Sequence, residues 1–350
     1  MTSIIDADIR KASTLPGAFY CDPSVYSAQL EQLFVPSWQF VELGPQEGEA
    51  IPLTLLPGSL DEPTILSRSE GATRAFSNVC THRGAVILTD AQNRKTLRCG
   101  YHGRRFDRHG KFLSAPGFEG AENFPCPADD LKQFSFGQLG PLNFVSMSPK
   151  ASFTDWTAPL KKKMPWLDWD ALPPQPTSSE RFTFDANWAL YCENYLEGFH
   201  VPFVHPGLSA VLALDAYEHE LFPGATLQTA KPSGDEPTLP DGTSAHYYWL
   251  FPNLMINAYP WGLSLNVVEP LGVGRTRVSF FRYVSAPDLC DIGAGADLRT
   301  VELEDEAIVL RVQRGVRSRS YDRGRYSPKH ERGVHLFHRL LTGMQGVSPT

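Results

Sequence analysis

The chain contains 350 residues, of which 42% are hydrophobic and 20% are charged, and its formal net charge is −7. This composition is that of an ordinary globular protein, it excludes the disordered and fibrous classes, and the length suggests about two domains. A net acidic chain is a poor binder of polyanions, so we expect neither nucleic acid nor an anionic membrane as a main partner.

The N-terminal residues and the cysteines bear on the compartment. Residues 1–14 include several charged side chains and no apolar run of signal-peptide length, and no later apolar run reaches the roughly 18 residues of a membrane span. Six cysteines in so long a chain are too sparse for a disulfide framework. We therefore expect a cytoplasmic protein in which any special cysteine serves as a metal ligand or redox group.

The first half of the chain predicts mostly β structure. Residues 15–35 predict a turn and a short amphipathic helix, because apolar side chains recur there at four-residue spacing. From Trp38 to about Ser148, short apolar runs alternate with glycine, proline and asparagine, which is typical of small antiparallel sheets. The predicted strands are residues 51–56, 63–66, 86–88 and 140–145. The proline-rich stretch 169–176 then predicts a linker.

The second half mixes helical and strand patterns. Helical signals lie near residues 188–200 and 300–318, and apolar runs at 247–251, 263–268 and 276–283 predict strands between them. Strands between helices at both ends predict an α+β layer in which a sheet covers a helix.

The strongest signal in the sequence is a pair of short loops that each contain one cysteine and one histidine. Cys80 and His82 form the first pair, and Cys99 and His102 form the second. Four such ligands suit either one tetrahedral Zn²⁺ or a [2Fe–2S] cluster with two cysteines on one iron and two histidines on the other. Zinc fingers group like ligands together, whereas one ligand of each kind in each loop favours the cluster.

A second candidate metal site centres on two histidines. His200 and His205 are five residues apart, so on an unbroken helix their side chains would point about 140° apart. Pro202 between them predicts a break in the helix that lets both imidazoles converge. Asn194, Glu197 and His200 follow at three-residue spacing, which predicts neighbouring positions on one helix.

Two histidines leave a mononuclear Fe(II) in need of a carboxylate. The apolar residues of the predicted helix at 300–320 form one stripe, which consists of Val301, Ile308, Val312 and Val316. Asp305 falls within this stripe. The neighbouring Glu302, Glu304 and Glu306 lie off it. Since a buried carboxylate must be paired or metal-bound, we predict Asp305 as the third ligand.

The loops Cys80-Thr81-His82-Arg83-Gly84 and Cys99-Gly100-Tyr101-His102-Gly103 resemble the cluster-binding loops of Rieske oxygenases. The resemblance covers nearly the whole chain and is greatest to the choline monooxygenase-like branch of the Rieske non-heme iron oxygenases, which includes carnitine oxygenase-like enzymes. Beyond the two metal sites it rests on short C-terminal motifs, which are Phe251–Asn257, Glu304-Asp305, Val312–Gly315, Gly324–Tyr326 and His338.

This resemblance implies an α+β protein in which a small antiparallel β Rieske [2Fe–2S] domain is joined to a helix-grip (START-like) catalytic domain with an antiparallel sheet. The implied segments are residues 1–36 packing on the catalytic domain, a Rieske domain at 37–150 and a catalytic mononuclear iron domain at 151–350. It also implies the metal ligands, which are Cys80, His82, Cys99 and His102 for the cluster and His200, His205 and Asp305 for Fe(II). Asn194 matches a residue beside the open iron position.

Two positions depart from the commoner family pattern. Arg104 stands where many relatives have tryptophan after the second histidine. Glu197 stands where most relatives have the aspartate that links the cluster of one subunit to the iron of its neighbour in a homotrimer. The longer side chain keeps the charge and favours the carnitine oxygenase-like enzymes, in which glutamate occurs at this position.

The resemblance implies a terminal oxygenase that receives electrons from a separate reductase, with or without a ferredoxin, and so draws on NAD(P)H indirectly. Its co-substrate would be O₂ and its substrate a small molecule. A non-catalytic Rieske electron-transfer protein is a remote alternative, because it would leave about 200 C-terminal residues unexplained.

Aromatic residues in the second half suit either of two substrate classes. They could form a cation–π cage for a quaternary ammonium or N-methyl compound, or an apolar pocket for aromatic ring hydroxylation or O-demethylation. We favour monooxygenation of the quaternary ammonium class, although aromatic-rich strands more often form core. The residues are Tyr191, Tyr195, Phe199, Tyr247, Tyr248, Trp249, Tyr259 and Trp261.

Overall fold

The structure is a computed structural model in which residues 5–343 are described. The chain divides into two compact units, one formed by Val35–Lys150 and the other by Met1–Phe34 together with Ala151–Thr350. Antiparallel sheets dominate the smaller unit and a sheet with helices forms the larger, which confirms the predicted α+β class. Within residues 5–343, no helix is long and apolar enough to cross a membrane.

The smaller unit contains two antiparallel sheets. Its strands are β1 (Gln39–Val41), β2 (Ala50–Leu55), β3 (Glu62–Ser69), β4 (Ala72–Ser77), β5 (Leu97–Arg98), β6 (Arg105–Phe106), β7 (Phe112–Ser114), β8 (Gln133–Leu139) and β9 (Leu142–Ser146). The six-stranded sheet has the order β1-β9-β8-β4-β3-β2, and the three-stranded sheet has the order β5-β6-β7. One cysteine–histidine loop follows β4 and the other joins β5 to β6, so both loops lie in this unit.

The two cysteine–histidine loops share one backbone pattern. In each loop the glycine four residues after the cysteine donates its N–H to the cysteine carbonyl, at 3.0 Å from Gly84 to Cys80 and 3.2 Å from Gly103 to Cys99. Both glycines have positive φ, at 71° and 72°, a region that side chains with a Cβ rarely adopt. The glycines are therefore required for the two matching turns.

The larger unit is built on a seven-stranded antiparallel sheet. Its strands are β10 (Ser178–Phe184), β11 (Leu212–Phe222), β12 (Ala225–Pro232), β13 (Ala245–Leu250), β14 (Leu254–Tyr259), β15 (Gly262–Gly272) and β16 (Arg275–Val284), in the order β10-β16-β15-β14-β13-β12-β11. Its helices are α1 (Pro23–Gln29), α2 (Phe153–Lys163), α3 (Trp188–Tyr195), α4 (Val201–Val204), α5 (Pro206–Val211), α6 (Leu298–Val316) and α7 (Arg332–Thr342).

Helix α3 contacts β15, β16, α6 and α7, so it lies at the centre of this unit. Asn187 caps α3 by accepting the Ala189 N–H at 3.0 Å, and its own backbone N–H donates to the Gln313 side chain on α6 at 2.7 Å. Trp188 is fully buried and donates its indole N–H to Gln29 at 2.8 Å. These contacts fix α3 relative to α6 and α1.

Several local predictions from the sequence were wrong. Residues 86–88 form no strand, and Val86 makes only an isolated bridge to Val79. The proline-rich stretch 169–176 contains a short 3₁₀ turn at Trp169–Ala171 and lies inside the larger unit, so it is not a linker between the two units.

The predicted helix at residues 188–200 is also shorter than expected. Helix α3 ends at Tyr195, so Glu197 and His200 do not share a helix with Asn194. Pro202 does not break a helix either. It occupies the first turn of α4, where the missing N–H costs no hydrogen bond.

The buried face of α6 is offset from the predicted stripe. Val312 is 42% exposed, whereas Glu302 is only 3% exposed, although we expected Glu302 to lie off the buried face. The face that packs inward contains Val309, Gln313 and Val316. Apolar spacing failed here because Glu302 and Gln313 are polar residues with buried partners on or beside α3.

Candidate metal centres

The turn between α3 and α5 brings His200 and His205 together. His200 is the N-cap of α4, and His205 lies between α4 and α5 as the C-cap of one and the N-cap of the other. The single short turn of α4 separates the two histidines, and α5 begins at Pro206 directly after His205. The centroids of the two imidazole rings are 5.1 Å apart, so both rings can reach one metal ion although the residues are five positions apart in the sequence.

Asp305 reaches the same point from α6. Its Oδ1 lies 2.9 Å from Nε2 of His205 and 3.6 Å from Nε2 of His200. One ligand atom from each of the three residues lies within 4.8 Å of the other two, the one such group among residues 5–343. Two imidazoles and one carboxylate with room for further ligands are the donor set of non-heme Fe(II). These residues therefore fit the iron that the sequence predicts.

A glutamate carboxylate contacts the Nδ1 atom of each histidine. Nδ1 of His200 lies 2.8 Å from Oε1 of Glu197, and Nδ1 of His205 lies 2.7 Å from Oε2 of Glu304. A carboxylate at Nδ1 accepts a hydrogen bond from Nδ1–H, which keeps the proton on that nitrogen and leaves the lone pair of Nε2 free to bind a metal. Both histidines thus have the orientation that a metal site requires.

Electrostatics supports the same arrangement. Burial acts to lower the pKa of His205, but the hydrogen bonds and negative charges of Asp305 and Glu304 outweigh it, and the pKa is raised. The carboxylates therefore attract positive charge to this point, whether a proton or a metal ion occupies it.

Asn194 and Glu197 both contact the candidate iron ligands, although from different elements. The Asn194 amide donates to Oδ1 of Asp305 at 2.5 Å and so holds the carboxylate. Glu197 accepts the backbone N–H of His200 at 3.0 Å with its second oxygen. Sequence reasoning missed Glu304, because its place next to Asp305 put it outside the apolar stripe.

A pocket opens from the three metal ligands between the helices and the sheet. Tyrosine side chains line much of it, and they are Tyr191, Tyr195, Tyr217, Tyr247 and Tyr259. Four of the eight aromatic residues singled out in the sequence are among them, whereas Tyr248 and Trp249 are fully buried elsewhere in the core. Tyr217 was missed because it lies on a strand, β11, that the sequence did not predict.

The charged lining of this pocket is acidic. Besides the histidines, its ionisable lining includes Glu197, Glu302 and Asp305, and none of the described residues that line it is lysine or arginine. Burial raises the pKa of Glu302 well above its usual range, against the hydrogen bond that Tyr191 donates to it at 2.5 Å. This direction favours the protonated form of Glu302 over its carboxylate.

The cysteine–histidine loops bring like side chains together. Cys80 and Cys99 are buried and close enough to share a hydrogen bond, whereas the rings of His82 and His102 lie 4.7 Å apart nearer the surface. A [2Fe–2S] cluster with its cysteine iron inside and its histidine iron outside needs this division.

Arg104 lies directly behind these loops. Its side chain is 3% exposed and pairs with Asp129 at 3.1 Å. Burial raises the pKa of Cys80, and the charge of Arg104 is among the interactions that oppose this rise. The departure from tryptophan noted in the sequence thus places a buried cation beside the cluster ligands.

Comparisons with known proteins assign both regions. Residues 54–125 match the family described as "Rieske [2Fe-2S] domain", and residues 154–344 match "Ring hydroxylating alpha subunit (catalytic domain)". The chloroplastic choline monooxygenase of Arabidopsis thaliana is 30% identical over 95% of this chain and 83% of its own. The carnitine monooxygenase oxygenase subunit of Escherichia coli (strain K12) is 29% identical over 96% of this chain and 94% of its own.

The fold also resembles solved structures. A quaternary ammonium Rieske monooxygenase in complex with L-carnitine matches with a TM-score of 0.76 at 24% identity, over 97% of each chain. Naphthalene 1,2-dioxygenase from Rhodococcus sp. bound to indole matches with a TM-score of 0.70 at 21% identity, over 95% of this chain and 94% of its own.

The role of Glu304 is testable by mutation. Glu304→Ala removes the carboxylate at Nδ1 of His205, and loss of such a partner typically weakens metal affinity by about 10- to 100-fold. Anaerobic Fe(II) titration, with the cluster content measured in parallel, should show this loss at the mononuclear site alone. Glu306→Ala, which removes a carboxylate from the same helix, is the control. Equal Fe(II) affinity in Glu304→Ala and the control would contradict the role.

Proposed function

Because the chain belongs to the family of ring-hydroxylating alpha subunits, we propose that it is the terminal oxygenase that hydroxylates a quaternary ammonium substrate at the site formed by His200, His205 and Asp305. The observation that carries this proposal is an acidic, tyrosine-lined pocket that opens onto these three residues. The groups bound by such an oxygenase supply one-electron transfer from a reductase and activation of O₂ at Fe(II).

The residues of this chain perform the remaining tasks. Tyrosine rings attract a cationic head group through their faces, by about 0.5 to 1 kcal/mol at exposed sites and about 2 kcal/mol when desolvated. The carboxylates of Glu197 and Asp305 add a negative potential. Asn194 and the two glutamates behind the histidines keep the metal ligands in place during the reaction.

The lining also bears on the rest of the substrate. A substrate carboxylate would meet carboxylates and no lysine or arginine among the described lining residues, and an unpaired buried charge is costly. We therefore infer that a quaternary ammonium alcohol such as choline is preferred over a zwitterion such as carnitine.

This preference is tested by product formation with electrons from a Rieske oxygenase reductase. Choline should have a kcat/KM about tenfold or more above that of its neutral carbon isostere, 3,3-dimethylbutanol, because the isostere lacks the charge that the pocket attracts. Carnitine should be slower than choline. Preferred hydroxylation of the isostere or of an aromatic substrate would overturn the assignment to cations, and a carnitine preference would point to Arg282, whose charge reaches Tyr259.

We also propose a homotrimer in which the cluster of one subunit supplies the iron site of the next. Glu197 supports this path, because both its oxygens contact His200 and its side chain is 14% exposed. A cluster histidine of a neighbouring subunit that binds Glu197 would therefore be linked to a metal ligand. A reducing compartment such as the cytoplasm suits the thiols that the cluster needs.

Mixed oligomers test the intersubunit path. Cys99→Ser removes a cluster ligand and Asp305→Ala removes an iron ligand, so each variant alone should be inactive. Co-expressed and co-purified mixtures should regain activity, because an intact cluster can then face an intact iron site. Adding Glu197→Ala to the Cys99→Ser chain, which carries the iron, should abolish the recovery, whereas adding it to the Asp305→Ala chain should not. Inactive mixtures with full metal content would mean that electrons stay within one chain.

A further inference from the structure

Arg104 is the most deeply buried arginine among residues 5–343, at 2% exposed, and nothing in the proposed reaction uses it. Three phenyl rings surround its guanidinium at 5.1 to 5.3 Å, and they belong to Phe112, Phe118 and Phe124. The faces of aromatic rings stabilise a cation without neutralising it. The guanidinium therefore retains its positive charge inside the unit.

The hydrogen bonds of Arg104 connect it to the first cluster loop. Nη1 donates to the hydroxyl of Thr81, between Cys80 and His82, at 2.8 Å. The same nitrogen lies 3.1 Å from Oδ1 of Asp129. Through its backbone carbonyl Arg104 also accepts the N–H of Cys99 at 2.9 Å, so it contacts both loops.

The charge of Arg104 is only partly balanced. Asp129 is its ion-pair partner, but that carboxylate is more exposed, at 15% against 3%, and also accepts the N–H of Cys126 at 2.8 Å. Nε of Arg104 is buried and has no hydrogen-bond partner in the described part of the chain. A purely mechanical tie between loops would not require a buried ion with an unsatisfied donor, since such groups are costly.

We propose that Arg104 raises the reduction potential of the [2Fe–2S] cluster by holding a permanent positive charge behind the loops that carry Cys80, His82, Cys99 and His102. On reduction the cluster takes one electron from the reductase and becomes more negative by one charge, with one iron changing from ferric to ferrous. A fixed cation in a poorly solvated place favours the more negative state. Arg104 thus acts through the cluster, as a positioning residue.

This inference rests on the cluster part of the proposed function and is tested separately from activity. The midpoint potential is measured at one fixed pH by spectroelectrochemistry, on protein whose iron and sulfide content and Rieske-type EPR signal are recorded first. Absence of that signal in the wild type would refute the proposed cluster itself. A normal signal with an unshifted potential in the variants would refute only the role of Arg104.

Charge and structure are separated by the choice of variants. Arg104→Gln should lower the potential by about 59 mV or more, which corresponds to a tenfold change in the one-electron equilibrium constant. Arg104→Lys keeps the charge and should remain near the wild type. Arg105→Gln removes a charge from the next residue, which is exposed, and should shift the potential little because solvent screens it.

Removing the partner should have the opposite effect. Asp129→Asn leaves Arg104 unbalanced and should raise the potential. If Arg104→Gln fails to assemble a cluster, the upward shift in Asp129→Asn still decides the question. Shifts of the same sign in Arg104→Gln and Asp129→Asn, or no shift in Asp129→Asn, would mean that the pair only ties the loops together.

Discussion

The catalytic unit depends on the pairing of imidazoles with carboxylates. Glu197 and Glu304 each hold one histidine through Nδ1, and the two opposite nitrogens then face Asp305. The ligands come from segments separated by about a hundred residues, so this geometry exists only because α3 and α6 pack together. Because these side chains are already ordered, they lose little conformational entropy when a metal binds.

The same pairing explains the charge of the pocket. Four carboxylates, those of Glu197, Glu302, Glu304 and Asp305, lie close to two histidines. Like charges this near one another repel strongly when water is scarce, and the pKa of Glu302 is raised by its burial and also by the negative charge of Asp305. The proposed binding of a metal cation and then of a cationic substrate would relieve the repulsion. In this proposal, metal binding and substrate preference have one electrostatic origin.

The sequence predicted what depends on residue type and failed where packing decides. One cysteine and one histidine in each loop indicated the cluster, and the loops do bring like ligands together, because glycines at matching places permit matching turns. The spacing of His200 and His205 indicated convergence, but Pro202 was given the wrong role, since a proline that begins a helix and one that breaks it look alike in sequence.

Asp305 was predicted as a ligand from an apolar stripe on α6, but the buried face of α6 does not follow that stripe. The true inward face of α6 contains Glu302 and Gln313, whose burial is possible because Tyr191 and Asn187 on or beside α3 bind them. Such partners are distant in sequence, and no local pattern reveals them. Glu304 was not predicted for the same reason, because only the fold brings its carboxylate to Nδ1 of His205.

We infer that one chain holds two different iron centres, one of them at His200, His205 and Asp305. Mössbauer spectroscopy of anaerobically prepared protein loaded with ⁵⁷Fe tests this inference directly. We expect the oxidised [2Fe–2S] signal together with a high-spin Fe(II) signal, with two cluster irons for each mononuclear iron. Iron found only in the cluster signal, in protein prepared with excess Fe(II), would contradict it.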